Sequence, residues 1–317
     1  MIEVESLVKA YGTQKAVNNV TFSVPKGQIL GFLGPNGAGK TTTMRVLTGY
    51  LAPTSGSASI AGYDVVTQSL EARRKVGYLP ESAPLYPDMN VVDYLQFVAE
   101  IRQINGSARR DRIREMVEVC GLEEVIQKDI GQLSKGYRQR VGLAQAMIHH
   151  PDVLILDEPT SGLDPNQIVE IRSLIREIGR EHTVILSTHI LPEVQATCDR
   201  VLIINRGQLV ADGTPEELQA AAQGAERVRI EAKISSPDDA VEALRELEAV
   251  ESVKWVSDAN AEVAAFEIEA EKGSDIRESI FHLAVDKGWV LLEMHRDQVS
   301  LESVFHNLTQ SEPALDD

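Results

Sequence analysis

A glycine-rich segment, GPNGAGKTT at residues 34–42, constrains this chain more than any other part of its 317 residues. It follows the apolar run Ile29–Leu33, which has the length and composition of a buried strand, and a helical pattern covers residues 40–48. Glycines between a strand and a helix leave backbone N–H groups free at the helix N-terminus, where they bind anions. The segment therefore predicts a strand, a tight turn and a helix arranged around phosphate.

The segment also matches the spacing GxxxxGK[ST], in which the last residues have a chemical role. Lys40 can reach the β and γ phosphates of a nucleotide, and the Thr41 hydroxyl can ligate Mg²⁺. The alternative, a purely structural turn, has no need for a lysine and a threonine together. We therefore predict that the nucleotide is bound by the following residues: Gly34, Pro35, Asn36, Gly37, Ala38, Gly39, Lys40, Thr41 and Thr42.

A second motif, VLILDEP at residues 153–159, predicts a buried strand that ends in two carboxylates. Ligands of α/β sheets bind at the carboxyl ends of strands, so Asp157 is placed to complete a Mg²⁺ shell and Glu158 to polarise an attacking water. The alternative is a solvated acidic turn. The phosphate loop favours the first interpretation, because it supplies the phosphate on which these acids would act.

Strands and helices alternate along most of the chain, which predicts an α/β fold with a mostly parallel sheet. The later strand patterns are at 153–156, 184–186 and 201–204, and the helical patterns between them are at 166–180 and 190–196. A helical pattern from about 91 to 120 predicts an inserted helical subdomain at about 82–145. Ala, Gln and Gly replace periodic sequence at 220–224, so the first domain is predicted to span residues 1–222.

Residues 225–310 predict a smaller α+β domain with the order βαββαβ, a ferredoxin-like arrangement. Its last helix, at 300–309, is predicted to begin at the cap Ser300 and to have one apolar face, formed by Leu301, Val304, Phe305 and Leu308. The tail 311–317 is predicted to be disordered. The sequence of this part contains no phosphate loop, metal cluster or nucleophile arrangement, so we predict an accessory interaction domain.

Five further motifs follow a fixed order along the chain: Tyr11, VGYLPES at 76–82, LSKGYRQRVGL at 133–143, SGLD at 161–164 and STHI at 187–190. The segment at 133–143 resembles the signature loop of ABC-type ATPases, and it lies just upstream of the strand that ends at Asp157, as in that family. Residues 1 to about 220 therefore resemble the ABC ATPase domain of the P-loop NTPases. Glu81 falls at the Q-loop, where glutamine is usual, and Lys135 and Tyr137 replace the commonest Gly and Gln of the signature.

The resemblance implies an ATPase that uses ATP and Mg²⁺ at a site shared between two copies. ATP on one phosphate loop would be completed by Ser134 and Gly136 of the second copy, and Asp164 would help to link the halves. Tyr11 would stack on adenine. The implied catalytic residues are Glu158 as general base, His189 at the γ phosphate, and Lys40; the implied residues at the metal are Thr41, Asp157 and Glu81.

The motifs YLPE, LSKGYRQR and LESVFHNLT together resemble ATP-binding subunits of ABC-2-type exporters, especially the gliding-motility type and its drug- and sodium-export relatives. That resemblance implies a cytoplasmic subunit that docks onto a separate integral-membrane permease, at the cytoplasmic face of the cell membrane, and powers export. No apolar run reaches the ~18 residues needed to span a bilayer. Any membrane role is therefore expected to come through the partner.

Two alternative functions are a soluble ABC ATPase that acts on ribosomes or DNA, and a non-hydrolysing ATP sensor. The net charge is −17, from 31 Lys and Arg against 48 Asp and Glu, which opposes binding along a nucleic-acid backbone. The single cassette and the lack of a long heptad repeat at 81–132 also oppose the first alternative. The presence of Lys40, Asp157, Glu158 and His189 opposes the second.

Overall fold

The computed structural model describes residues 1–222, 226–256, 263–297 and 301–310. The chain divides into two compact units: one comprises Met1–Glu216 together with the chain from Phe305, and the other comprises Glu217–Val304. The predicted cap Ser300 and the predicted tail 311–317 lie outside the described residues, as does the centre of the predicted boundary at 223–225. Every predicted nucleotide residue lies in the first unit.

Two sheets and the helices around them make up the first unit. Its strands are β1 (Ile2–Tyr11), β2 (Gln14–Val24), β3 (Ile29–Leu33), β4 (Ser55–Ile60), β5 (Tyr63–Asp64), β6 (Val76–Leu79), β7 (Val153–Asp157), β8 (Thr183–Thr188), β9 (Arg200–Asn205) and β10 (Gln208–Gly213). The helices within residues 1–222 are α1 (Lys40–Leu47), α2 (Ser69–Arg74), α3 (Val91–Ile101), α4 (Gly106–Val119), α5 (Lys135–Met147), α6 (Pro165–Ile178), α7 (Leu191–Thr197) and α8 (Pro215–Ala222).

The central sheet has six strands in the order β10-β9-β3-β8-β7-β6. All its pairings are parallel except that of β10 with β9, which is antiparallel. Strands β3 and β7 are buried along their whole length, because other parts of the unit cover both faces of this sheet. The predicted parallel α/β sheet is therefore confirmed, and the carboxyl ends of β3, β7 and β8 meet at one edge.

A second, antiparallel sheet packs against the first, in the order β2-β1-β4-β5. One apolar core includes Val4, Phe22 and Ile60 of this sheet together with Phe32 and Ile155 of the central sheet. The sequence patterns did not predict this separate sheet, because the pairing of β1 with β4 joins segments that are distant in sequence. This sheet forms the back of the phosphate loop.

Three helices, α3, α4 and α5, are inserted between β6 and β7, as the helical pattern predicted. The expected helical stretch from 91 to 120 is two helices, because the chain turns through left-handed backbone at Gln103 (φ 61°) and Gly106 (φ 63°). Arg112 of α4 donates to the carbonyl oxygens of Met147 and Ile148, at 2.5 and 3.0 Å, and so satisfies the C-terminal end of α5.

The second unit has the predicted order βαββαβ. Its elements are β11 (Glu226–Lys233), α9 (Pro237–Arg245), β12 (Val250–Trp255), β13 (Ala264–Ala270), α10 (Arg277–Asp286) and β14 (Val290–Asp297), after which comes α11 (Leu301–Gln310). The four strands form an antiparallel sheet in the order β12-β13-β11-β14, which is the ferredoxin-like arrangement. Ile230, Phe266 and Ile280 lie in its core, and alternate residues of β11 face solvent.

Candidate nucleotide site

The phosphate loop joins β3 to α1 through backbone that only glycine adopts readily. Gly37 has a φ of 80° and Gly39, the N-cap of α1, has a φ of 111°. A Cβ atom at Gly39 would lie 2.4 Å from the carbonyl oxygen of Ala16, and one at Gly34 would lie 2.4 Å from that of Ile204. Neighbouring backbone therefore fixes the loop, and the loop fixes the N-terminus of α1.

Lys40 is the first residue of α1, and its side chain is almost fully buried. Its ammonium donates to the carbonyl oxygens of Gly34 at 2.7 Å and Pro35 at 3.3 Å, so the side chain folds back over the loop. Its Nζ atom also lies 3.2 Å from Oε1 of Glu158. A buried cation is stable only with such partners, and here they hold it at the N-terminus of α1.

Asp157, at the end of β7, lies beside α1. Its Oδ1 atom accepts hydrogen bonds from Thr41 Oγ1 at 3.3 Å and from Ser187 Oγ at 2.5 Å. Among the residues that the structure describes, no group of three His, Cys, Asp or Glu side chains could hold a metal. Mg²⁺ does not need such a group, because it binds through one or two protein oxygens and substrate phosphates, and this hydroxyl and carboxylate set fits it.

Glu158 is held in left-handed backbone with a φ of 50°, which is rare for a residue other than glycine. Its N–H donates to the carbonyl oxygen and to the hydroxyl of Ser187, each at 3.1 Å. In this conformation the carboxylate lies between the side chains of Lys40 and His189. Its Oε1 atom is 3.2 Å from Lys40 Nζ, and its Oε2 atom is 2.8 Å from His189 Nδ1. The His189 side chain is 45% exposed, so the carboxylate and imidazole pair borders solvent.

These groups line one polar pocket of about 290 Å³. Its lining residues are Ala16, Pro35, Asn36, Gly37, Gly39, Lys40, Thr41, Thr42, Glu81, Glu158, Ser161 and His189. Seven of the nine predicted loop residues therefore come together with Glu81, Glu158 and His189, although these segments are distant in sequence. Ala16, Ser161 and Ser187 are additional residues of the site; Ser161 and Ser187 lie within SGLD and STHI, where their hydroxyls were an available signal.

Seven predicted residues do not line this pocket: Gly34 and Ala38 of the phosphate loop, Asp157 beside α1, and Tyr11, Ser134, Gly136 and Asp164. Tyr11 is 51% exposed, and the ammonium of Lys9 lies 5.5 Å from the centroid of its ring. Ser134 caps α5 by accepting from the N–H of Tyr137 at 3.3 Å, and Asp164 caps α6 by accepting from the N–H of Gln167 at 2.9 Å. Within one copy, the signature loop is therefore separate from the phosphate loop.

The N-terminus of α5 has positive charge and no negative charge in its first turn. Helix α5 has no acidic residue in its first turn, where an acid would ordinarily stabilise the helix dipole, and it has Lys135 there instead. The Ser134 and Lys135 side chains are exposed, whereas Gly136 packs against Gln167 of α6, 2.7 Å from where a Cβ atom would lie. Glycine at this position keeps α5 and α6 close to each other.

Comparison with known proteins assigns the family. Residues 17–161 match the family model described as ABC transporter, and a second model, described as an AAA domain (putative AbiEii toxin, Type IV TA system), matches residues 129–194. The uncharacterized ABC transporter ATP-binding protein YxlF of Bacillus subtilis is 40% identical over 223 residues, which cover 70% of this chain and 74% of that protein. The linearmycin resistance ATP-binding protein LnrL of the same organism is 32% identical over 314 residues, 98% of each chain.

A solved structure agrees with the fold. The chain is similar to CbiO1 of Clostridium perfringens, part of the ABC transporter complex CbiONQ, with a TM-score of 0.64 and 29% identity over 69% of this chain and 90% of that one. No helix of the described residues has the length and apolarity to cross a bilayer. The chain therefore belongs to the ABC transporter ATP-binding proteins, and it is an ATPase of that family.

Proposed function

We propose that this chain powers export through a separate membrane permease of the ABC-2 type by hydrolysing ATP at sites shared between two copies. The observation that carries the proposal is the position of the Glu158 carboxylate, between Lys40 and His189 in the pocket of the phosphate loop. The similarity to LnrL, which is named for resistance to linearmycin, extends over the second unit, which we call the accessory unit, and supports a role in drug export.

The phosphate loop and Lys40 bind and orient the nucleotide phosphates. The loop presents backbone N–H groups at the N-terminus of α1, where the helix dipole favours negative charge. The Lys40 ammonium, which bonds to two loop carbonyls, is placed to contact β and γ phosphate oxygens. Tyr11 is exposed at the end of β1, where we propose that it stacks on adenine.

Glu158 acts as the general base toward the attacking water. A carboxylate that is buried, fixed by its backbone and hydrogen-bonded through one oxygen to His189 has a single orientation, which is what proton transfer requires. His189 holds this orientation and borders solvent, and we propose that it contacts the γ phosphate. Glu158 therefore acts on the water, and His189 positions both Glu158 and the phosphate.

Mg²⁺ is the expected cofactor, and Thr41 and Asp157 would hold it beside the phosphates. When bound, it would neutralise charge that develops on the phosphate oxygens. Ser187 keeps Asp157 oriented through its 2.5 Å hydrogen bond. Glu81 lines the same pocket from the segment after β6, and we propose that it acts on the metal side of the site.

Glu81→Gln tests this assignment. A carboxylate near Mg²⁺ attracts the ion but repels the γ phosphate, so we expect the variant to need about two- to tenfold more Mg²⁺ for half-maximal hydrolysis, with ATP affinity changed less. The measurement is a Mg²⁺ titration of steady-state ATP hydrolysis beside a nucleotide-binding titration. An unchanged Mg²⁺ requirement would mean that Glu81 is a solvated loop residue.

The second copy completes the site. Ser134, Gly136 and Asp164 lie outside the pocket of their own copy, and the exposed N-terminus of α5 contains a cation and no acid, so it suits a phosphate that another copy holds. A two-fold dimer would give two such sites, because each copy contributes one phosphate loop and one signature loop.

A groove beside the nucleotide pocket is the proposed permease contact. We name it the aromatic groove; its volume is about 690 Å³ and its lining residues are Arg45, Tyr50, Tyr78, Pro80, Pro84, Tyr86, Tyr94, Phe97, Val98, Ile101, Arg102, Gln145 and Ala146. Exposed apolar side chains at Tyr50, Tyr86 and Ile101 are typical of a protein interface rather than of free surface. Burial raises the pKa of Tyr78 and Tyr94 to about 12, so both phenols stay neutral hydrogen-bonding groups.

The charge of the aromatic groove indicates the chemistry of the permease segment. Its lining contains Arg45 and Arg102 and no carboxylate, and the adjoining cleft adds Arg73 and Arg74, although the chain as a whole has a net charge of −17. Among the described ion pairs, none involves these four guanidinium groups. We propose that the permease segment in this groove has acidic side chains next to aliphatic ones.

Arg102→Glu tests both the permease partner and the groove. We expect at least about a tenfold loss of the membrane protein that co-purifies with the tagged chain from host membranes, because the substitution replaces attraction by repulsion. ATP hydrolysis by the detached chain should stay unchanged, since Arg102 is outside the nucleotide pocket. The matched control is Arg110→Glu, an exposed arginine on α4 that does not line the groove. Equal recovery with both variants would place the permease elsewhere.

A further inference from the structure

The end of the last helix, α11, belongs to the first unit, although the helix begins at Leu301 in the second unit. The chain leaves the first unit at Glu216 and joins it again at Phe305. There the side-chain amide of Asn205, the last residue of β9, donates to the carbonyl oxygens of Leu308 and Thr309, at 3.4 and 3.2 Å. The last carbonyls of a helix have no partner within it, so Asn205 satisfies groups that the helix leaves open.

The turn that follows Asn205 is bonded to the phosphate loop. Arg206 and Gly207 both have left-handed backbone, with φ of 48° and 79°, and they form the two-residue connection between β9 and β10. The N–H of Gly207 donates to the carbonyl oxygen of Ala38 at 2.9 Å, and its own carbonyl oxygen accepts from the N–H of Asn18 at 2.8 Å. The turn therefore holds the phosphate loop in place through a backbone hydrogen bond to Ala38.

The backbone of this turn is closely packed against the backbone of Ala16. A Cβ atom at Gly207 would lie 2.9 Å from the carbonyl oxygen of Ala16, and that same oxygen lies 2.4 Å from where a Cβ atom of Gly39 would be. Backbone packed at this distance transmits a displacement instead of absorbing it. A change in the position of Asn205 is therefore passed to the phosphate loop across two residues of a tight turn.

We propose that residues 305–310 are a regulatory strap, which holds the phosphate loop in its nucleotide-binding shape through Asn205 and the turn 205–207. The proposal goes beyond the exporter function and does not depend on the permease or the second copy. Its consequence is that any partner that pulls on α11 through the accessory unit weakens ATP binding. By thermodynamic reciprocity, ATP must tighten the strap by the same factor.

Asn205→Asp is the first test, because it keeps the size of the side chain, removes the N–H donor and places a carboxylate against two carbonyl oxygens. We expect ATP affinity of the full chain to fall about two- to tenfold, the range that one lost hydrogen bond supports. The matched control is Asn105→Asp, which removes an amide-to-carbonyl hydrogen bond of 3.1 Å at an exposed site before α4. Its ATP affinity should equal that of the parent.

A double-mutant cycle distinguishes the strap from a local effect on the turn. Leu308→Pro distorts the last turn of α11, so it should weaken ATP binding to a similar extent, and Asn205→Asp should add nothing to it. ATP should also slow amide hydrogen exchange at residues 305–310 of the parent and not of either variant. Thermal unfolding checks that the variants fold. Unchanged ATP affinity in both single variants, or additive losses in the double variant, would overturn the strap.

Discussion

ATP turnover falls by about 10²–10⁴ when Glu158 is replaced by Gln, the usual contribution of a positioned general base. The amide has the size of the carboxylate and still reaches Lys40 and His189, which now lie 3.2 and 2.8 Å from the two carboxylate oxygens. It cannot accept the proton of the attacking water. The loss is therefore expected in turnover and not in ATP affinity, and the variant should accumulate as an ATP-bound dimer.

The contrasting variant is Lys40→Ala. It removes the cation that bonds to Gly34 and Pro35, so nucleotide affinity itself should fall. Three measurements on both variants separate a loss of turnover from a loss of nucleotide affinity. They are single-turnover hydrolysis, equilibrium nucleotide binding and sedimentation with ATP. Hydrolysis by Glu158→Gln at the parental rate would show that another group is the base.

Mixing two inactive variants restores about a quarter of the parental turnover if the site is shared in a two-fold dimer. Lys40→Ala inactivates the phosphate loop of its own copy and leaves the signature loop intact. Ser134→Arg inactivates the signature loop and leaves the phosphate loop intact, because a large cation at the cap of α5 blocks the approach of a second copy. When equal amounts exchange freely, half of the dimers are mixed and each contains one complete site. Each variant alone should be almost inactive.

The control for this experiment is Glu158→Gln mixed with Lys40→Ala. Both substitutions then fall on the phosphate-loop side, so mixed dimers contain no complete site and turnover should stay at the level of the variants alone. Exchange of copies is verified with two different affinity tags. No recovery by the first pair in dimers shown to be mixed would contradict the shared site.

Sequence patterns predicted the local backbone around the candidate nucleotide site. The strand, glycine turn and helix around Lys40 are specified by neighbouring residues: Gly37 and Gly39 need left-handed backbone, and Lys40 begins the helix. The strand before Asp157 and Glu158 is likewise a continuous apolar run. The parallel sheet, the inserted helices and the ferredoxin-like unit followed from the alternation of strand and helix patterns, and the structure confirms them.

Features that depend on distant parts of the chain could not be predicted in the same way. The left-handed backbone of Glu158 depends on two hydrogen bonds from its N–H to Ser187, which is on another strand. Ala16 enters the nucleotide pocket only because the second sheet packs behind the loop. The bond from Asn205 to the end of α11 joins residues 103 and 104 positions apart, and no periodic pattern reports such a pairing.

The segment between β6 and α3 lines both the nucleotide pocket and the aromatic groove, and it connects them along the chain. Glu81 lines the nucleotide pocket, while Pro80, Pro84 and Tyr86 line the aromatic groove. Prolines at 80, 84 and 87 fix their own φ angles and restrict the residue before each, so five of the eleven residues 80–90 have restricted backbone. These restrictions reduce local bending, so a movement of Glu81 is expected to reach Tyr86 more directly than it would through a connection without prolines.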